Sequence, residues 1–131
     1  LQDVLARLGL KAVTLHARAE DAAKMAAHRE QYDAAVSRAV ANAATLEELT
    51  LPFVQKGGVA IAWKGPGVAE EMTAARRAAF LLGGTVRGTV DAPIPGREDW
   101  AHVLLLTDKT GTTPKAYPRK AGTPNKKPLG Q

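Results

Sequence analysis

VAIAWKGPGVAEEMTAARRAAFLLGG, residues 59–84, decides the fold. Its opening, Val59-Ala60-Ile61-Ala62-Trp63, is an unbroken apolar run of strand length, the pattern of a strand with both sheet faces covered. Lys64-Gly65-Pro66-Gly67 interrupts it, residues 68–82 read as a helix, and Gly83-Gly84 closes that helix. Downstream, residues 85–90 read as a strand, 92–100 as a loop and 103–107 as a buried strand. Upstream, Leu46, Leu49 and Phe53 recur at helical spacing, predicting a helix over 43–56 with Pro52 near its end and Gly57-Gly58 as its stop. Residues 32–37 read as a strand, 20–30 as a helix with Glu20 and Asp21 at its favourable N-terminal end, and 12–16 as a strand. Val4, Leu5 and Leu8 before Gly9 read as the last turns of another helix. Strands alternating with helices predict an open, mostly parallel, Rossmann-like α/β sheet. The last two strands have no helix between them, so the final one is expected to run antiparallel.

A chain of 131 residues suffices for one domain with a core, and 5% aromatics against 45% hydrophobics means that Val, Leu, Ile and Ala must build it. No apolar run approaches a membrane span, and no cysteine is present, which excludes disulfides, thiol catalysis and cysteine-held metal. The chain starts at Leu1 with no leader-like segment, reading as an internal cut of a cytoplasmic protein. Its charge is uneven. The formal net charge is +5, yet residues 1–108 hold 12 basic and 13 acidic side chains. Residues 109–131 hold six basic ones (Lys109, Lys115, Arg119, Lys120, Lys126, Lys127), no acid and four of the eight prolines. The expected organisation is an α/β domain over 1–108 and a basic, proline-rich tail over 109–131, suited to a phosphate-rich partner or simply solvated.

Open α/β sheets take ligands beyond the carboxyl ends of their strands. Three segments qualify: Arg18-Ala19-Glu20, Ser37-Arg38-Ala39 and Lys64-Gly65-Pro66-Gly67. Each has a plainer reading, as a helix cap, a surface ion pair and a solvated lysine. His16, His28 and His102 lack metal spacing and read as strand or surface histidines. Glu47-Glu48 and Glu70-Glu71 are adjacent pairs that do not share a helix face, so they read as solvated. No nucleophile elbow, Walker loop or dinucleotide fingerprint occurs.

The chain resembles the C-terminal portion of the RsmG (GidB) family, bacterial methyltransferases of a guanine N7 in small-subunit (16S) ribosomal RNA. The resemblance rests on Arg18-Ala19-Glu20, Tyr32-Asp33, Ser37-Arg38-Ala39-Val40, Leu51-Pro52-Phe53, Gly57-Gly58 and Trp63-Lys64-Gly65-Pro66. Tyr117-Pro118-Arg119-Lys120-Ala121-Gly122-Thr123-Pro124 and Lys126-Lys127-Pro128-Leu129 extend it through the tail. It implies a class I S-adenosylmethionine-dependent methyltransferase sheet lacking its first two strands and N-terminal helices. Ala19 and Glu20 match positions at the adenine end of the cofactor, and Arg38 matches a cofactor-contacting arginine. Lys64, Lys115, Arg119, Lys120, Lys126 and Lys127 are our own RNA-contact candidates. Guanine N7 loses no proton on methylation, so no general base is needed, and Arg38 or Lys64 could orient the base through O6. The alternatives are a non-catalytic RNA-binding α/β module with a cationic tail and, with little in its favour, a nucleotide-dependent oxidoreductase.

The implied sheet order, 3-2-1-4-5-7-6, adds one expectation. Strands at 32–37, 59–63, 85–90 and 101–107 should stay together with 59–63 central, while 12–16 has no neighbour and 32–37 presents a bare edge open to self-association. The segment before Gln31 is therefore expected to be displaced, and S-adenosylmethionine is not expected on these residues alone.

Overall fold

The structure, a computed structural model, describes every residue except 39 and 40; Ala39 and Val40 of the Ser37-to-Val40 match lie outside the described residues. Strands β1 (Tyr32–Ser37), β2 (Val54–Lys64), β3 (Gly84–Asp91) and β4 (Val103–Lys109) form one sheet in the order β1-β2-β4-β3. β1 and β2 are parallel, and β4 runs antiparallel to both of its neighbours. This is the reversal that a connection without a crossover helix requires. The order is the 4-5-7-6 half of the implied sheet, with β2 inside and β1 at an edge.

The helices are α1 (Gln2–Arg7), α2 (Ala19–Ala22), α3 (Ala43–Thr50), α4 (Met72–Leu81) and α5 (Thr123–Lys126). Asn42 starts α3 by accepting the Thr45 amide on its side chain at 2.9 Å. α3 and α4 lie side by side on one sheet face. Ala43, Ala44 and Leu46 meet Ala75, Ala78, Ala79 and Leu82 there, above Ala60, Ala62, Val86 and Leu105. Small side chains on three elements let the layers approach closely, which is how a core poor in aromatics fills its volume. The opposite face carries no helix. Val36 is 74% exposed, and Ile61, Trp63, Leu104 and Leu106 are only partly covered. The apolar run 59–63 therefore has one covered face, not the two its sequence predicts.

Four further expectations are corrected. Residues 12–16 form no strand, because no neighbouring strand reaches them and a lone strand cannot pair its backbone. Helix α2 ends at Ala22 instead of running to 30, yet the segment before Gln31 is only partly displaced. Ala22 and Ala23 are buried, and the Glu30 and Gln31 amides donate to Pro52 and Phe53 carbonyls at 2.8 and 3.1 Å. The helix expected over 43–56 stops at Thr50, a tight turn takes Leu51–Phe53, and β2 begins at Val54. Gly57-Gly58 lies inside β2, where the pairing with β1 slips between Tyr32 and Ala34. A Cβ on Gly58 would sit 2.4 Å from the Asp33 carbonyl oxygen, so close strand approach, not helix termination, requires glycine there. Finally, the boundary expected after residue 108 falls inside β4, whose last residue Lys109 is fully buried.

The glutamate pair on α3 also departs from its reading: Glu47 and Glu48 are both buried. The Thr107 hydroxyl donates to Glu47 Oε1 at 2.6 Å, and among the described residues Oε2 has no partner. Burial pushes the Glu47 carboxyl up to about 7, against the Thr107 hydrogen bond that favours its ionised form. Folding therefore takes up a proton here, and stability falls as pH rises from about 4.5 to about 7. The full swing is about 3 kcal/mol. Glu20, Glu30 and Asp108 are held below their ordinary range, so their contribution is lost only as pH falls below it. Urea unfolding across pH should show a maximum near pH 5, and Glu47→Gln should flatten the slope above it. An unchanged slope in that variant would exclude Glu47 as the source.

Candidate functional site

Because β1 and β2 are parallel, Ser37-Arg38 and Lys64-Gly65 emerge at the same sheet edge, with Ser37 in register with Ala62. The antiparallel β4 begins there too, Val103 facing Lys64. Arg38 lies on the open face, its guanidinium 5.4 Å from the centre of the Trp63 ring. The Trp63 indole N–H donates to His102 Nδ1 at 2.7 Å. Val36, Ser37, Arg38, Ile61, Trp63 and Leu104 line a pocket of about 270 Å³. The Ser37 hydroxyl, buried and without a partner among the described residues, lies on the other face, with its register partner Ala62 on the helix-covered side. An exposed guanidinium seated on an indole beside a cavity is a donor for a polar ligand.

Lys64 belongs to the helix-covered side. Its ammonium donates to the Ala41 carbonyl at 2.8 Å and pairs with Glu71 at 3.1 Å, leaving the side chain 10% exposed. Glu71 also accepts the Ala43 amide, so the pair anchors the start of α3 to the end of β2.

Ala19 and Glu20 open α2. The Glu20 side chain turns into the fold, where Oε2 accepts the Gly122 amide at 2.8 Å and meets Arg18 at 3.3 Å. Burial raises its pKa, but the Gly122 amide, its own amide and Arg18 outweigh that and hold it ionised below its ordinary range. What this corner can offer a ligand is its backbone. The segment after β4, expected as a tail along the surface, is a strap fastened to the domain. Arg29 donates to the Thr113, Pro114 and Tyr117 carbonyls at 2.8–3.1 Å, and Glu30 accepts the Thr113 amide at 3.0 Å. Glu48 takes the Arg119 amide at 2.7 Å and its guanidinium at 2.8–3.2 Å. Farther on, the Thr45 hydroxyl donates to the Pro124 carbonyl at 3.0 Å. The strap thus runs along α3 and ties it to α2. Arg119 is held in place, whereas Lys115, Lys120, Lys126 and Lys127 are exposed.

Residue-by-residue reading missed His102 as the partner of Trp63. Alternation puts Trp63 in step with Ile61 and His102 in step with Leu104, but only the pairing of Lys64 with Val103 brings the two together on one face.

Residues 1–94 match the family described as rRNA small subunit methyltransferase G, GidB. The protein called ribosomal RNA small subunit methyltransferase G from Clostridium novyi (strain NT) is 47% identical over 130 residues, 98% of this chain and 53% of its own length. Those of the same name from Clostridium perfringens (strain 13) and Leuconostoc citreum (strain KM20) are 46% and 45% identical, over 98% of this chain and 54% of theirs. The chain spans about half the length of the curated relatives it matches.

Proposed function

The chain belongs to the rRNA small subunit methyltransferase G family, and from that premise we propose that it is part of an enzyme that methylates guanine N7 in 16S ribosomal RNA with S-adenosylmethionine. The observation that carries this reading to the residues is Arg38, its guanidinium seated on the Trp63 ring beside a pocket at the carboxyl edge of the sheet. When bound, S-adenosylmethionine supplies an electrophilic methyl group. Arg38 would hold a polar part of it, and the Ala19-Glu20 backbone its adenine end. Guanine N7 already carries a lone pair, so these residues need to align and to exclude water, not to remove a proton.

For the RNA itself we assign Lys115, Lys120, Lys126 and Lys127, because Lys64 and Arg119 are already paired within the chain. Those four exposed lysines on a rigid strap also favour the second reading, a module that binds the small-subunit RNA without catalysing. The bare edge of β1 is where a further strand or a second copy would add. Among the described residues no helix is long and apolar enough to cross a membrane, and an rRNA substrate would place the work in the cytoplasm.

Calorimetry with S-adenosylmethionine tests the reading, on this chain and on a protein of the relatives' full length that contains it. Binding is expected to the longer protein and not to this chain. In the longer one Arg38→Ala should weaken binding or methyl transfer by about 1–3 kcal/mol, the scale for a lost hydrogen bond to a charged group. Unchanged affinity and activity would remove Arg38 from the site.

A further inference from the structure

A second cavity, of about 450 Å³, lies at the same sheet edge beyond the Arg38 corner, lined by Pro66, Asp91, Pro93, Glu98, Ala101 and His102 among others. We propose that this cavity receives the target guanine base. The proposal deepens the reading above, from which it takes the choice of an RNA base as occupant.

The walls are built by strand pairing. Asp91 ends β3 in register with Val103, and the Ala92 amide donates to the His102 carbonyl at 2.9 Å, which holds the two sides together. His102 joins an aromatic row. Trp63 lies 5.5 Å from its ring centre, and Trp100 meets it edge-on at 5.9 Å. Arginines seat on both ends of that row, Arg38 over Trp63 and Arg97 over Trp100 at 5.3 Å. Trp100 is 47% exposed, a large indole surface turned to solvent. His102 is the member of this row that lines the cavity, and the aromatic faces interleaved with guanidinium groups beside it suit bases whose phosphates need neutralising.

The backbone supports the same assignment. Ala101, between Trp100 and His102, sits at φ +51°, in the left-handed region that a Cβ disfavours. Strain of this kind persists where the surroundings fix it, and it clusters at ligand sites.

The polar groups select the base. Trp63 can only donate, so His102 Nδ1 is the acceptor and its ring N–H is at Nε2. The cavity lining thus offers two carboxylates, which accept, Glu98 having one oxygen already on the Gly96 amide at 3.2 Å, and one imidazole N–H, which donates. Guanine presents N1–H and the N2 amino group side by side, matching a carboxylate, with the O6 acceptor next to them for an N–H. Adenine presents a lone pair at N1, which a carboxylate repels. Enzymes acting on a base read its Watson–Crick edge and stack its faces in this way. Recognition through N1 and N2 also leaves N7 unoccupied, as its methylation demands.

The test titrates guanosine and adenosine 5′-monophosphates into this chain, followed by tryptophan fluorescence. Guanosine monophosphate should bind at least about fivefold more tightly than the adenosine compound. Trp100→Ala should weaken it by about tenfold. Asp91→Asn with Glu98→Gln, both at exposed positions, should erase the preference without moving the melting temperature. Equal binding of the two nucleotides by the native chain, or a preference that survives the double substitution, would overturn the proposal. Methyl transfer to small-subunit RNA by the longer protein separates the two readings. Full activity in the double variant would reject the pocket and keep the enzyme, whereas guanine selectivity without any methyl transfer would keep the pocket and reject the enzyme.

Discussion

Replacing Arg119 with alanine should destabilise the chain by about 3–5 kcal/mol, the range for removing one partner of a buried ion pair. Glu48 is fully buried, and Arg119 supplies it with both a forked guanidinium and a main-chain amide. The variant keeps the amide but strands the charge. Against a typical total stability of about 5–15 kcal/mol, that loss should lower the melting midpoint by on the order of 10–20 °C. Arg119→Lys should recover little, because an ammonium cannot make the fork. Adding Glu48→Gln to Arg119→Ala should restore part of the loss by removing the stranded charge. Urea unfolding of the four proteins reads this directly, and a loss below about 1 kcal/mol for Arg119→Ala would reduce the pair to a surface contact. The same geometry changes what a truncation would mean. Deleting residues 113–131 takes away Arg119 and the Glu20 and Thr45 partners, so it would unfold the domain's flank along with any RNA affinity.

Much of the sheet was legible because its signals are local. The apolar runs at 59–63 and 103–107 and the missing helix between the last two strands determine strand identity and direction without distant information. The run at 12–16 has the same local pattern and forms no strand, since pairing depends on a neighbour, which no propensity records. Gly57-Gly58 looked like a helix stop for a similar reason. Its need for glycine comes from Asp33, far away in the chain. Charge was the least legible property. Glu47, Glu48 and Lys109 read as solvated because each is charged, and each is buried by a partner at least 55 residues away or more (Thr107, Arg119, and the Leu51 and Val54 carbonyls). The cation count of the C-terminal stretch was right, but which cations face water was decided by those pairings. At the site, Arg38 was found by topology, and its seat on Trp63 only by the strand pairing.

Lys109 gives the sharpest case. Counted by sequence among the tail cations, it ends β4 with its ammonium fully buried, donating to the Leu51 and Val54 carbonyls at 2.8 and 2.7 Å and pairing with Glu30 at 3.0 Å. Lys109→Met keeps the volume and removes the charge. It takes the ammonium donor from the Leu51 and Val54 carbonyls, of which Leu51 keeps the Val54 amide, and leaves Glu30 with the Thr113 amide. The expected destabilisation is about 2 kcal/mol, since a buried carbonyl that loses its donor costs about 1–3 kcal/mol and relief from burying an ammonium offsets part of what Glu30 loses. A pH signature separates this from simple repacking. Burial holds the Lys109 pKa below its ordinary value despite the opposing pull of Glu30, so the unfolded chain binds the extra proton as pH approaches 10.5. Stability should therefore gain a rising contribution on the alkaline side of the native chain's profile, and the methionine variant should lack it. If Lys109→Met melts like the native chain and keeps that alkaline rise, the ammonium is not what fastens the end of β4. The strap's first turn, at Thr113, would then be held by Arg29, by Glu30 and by the Thr113 hydroxyl on the Leu82 carbonyl.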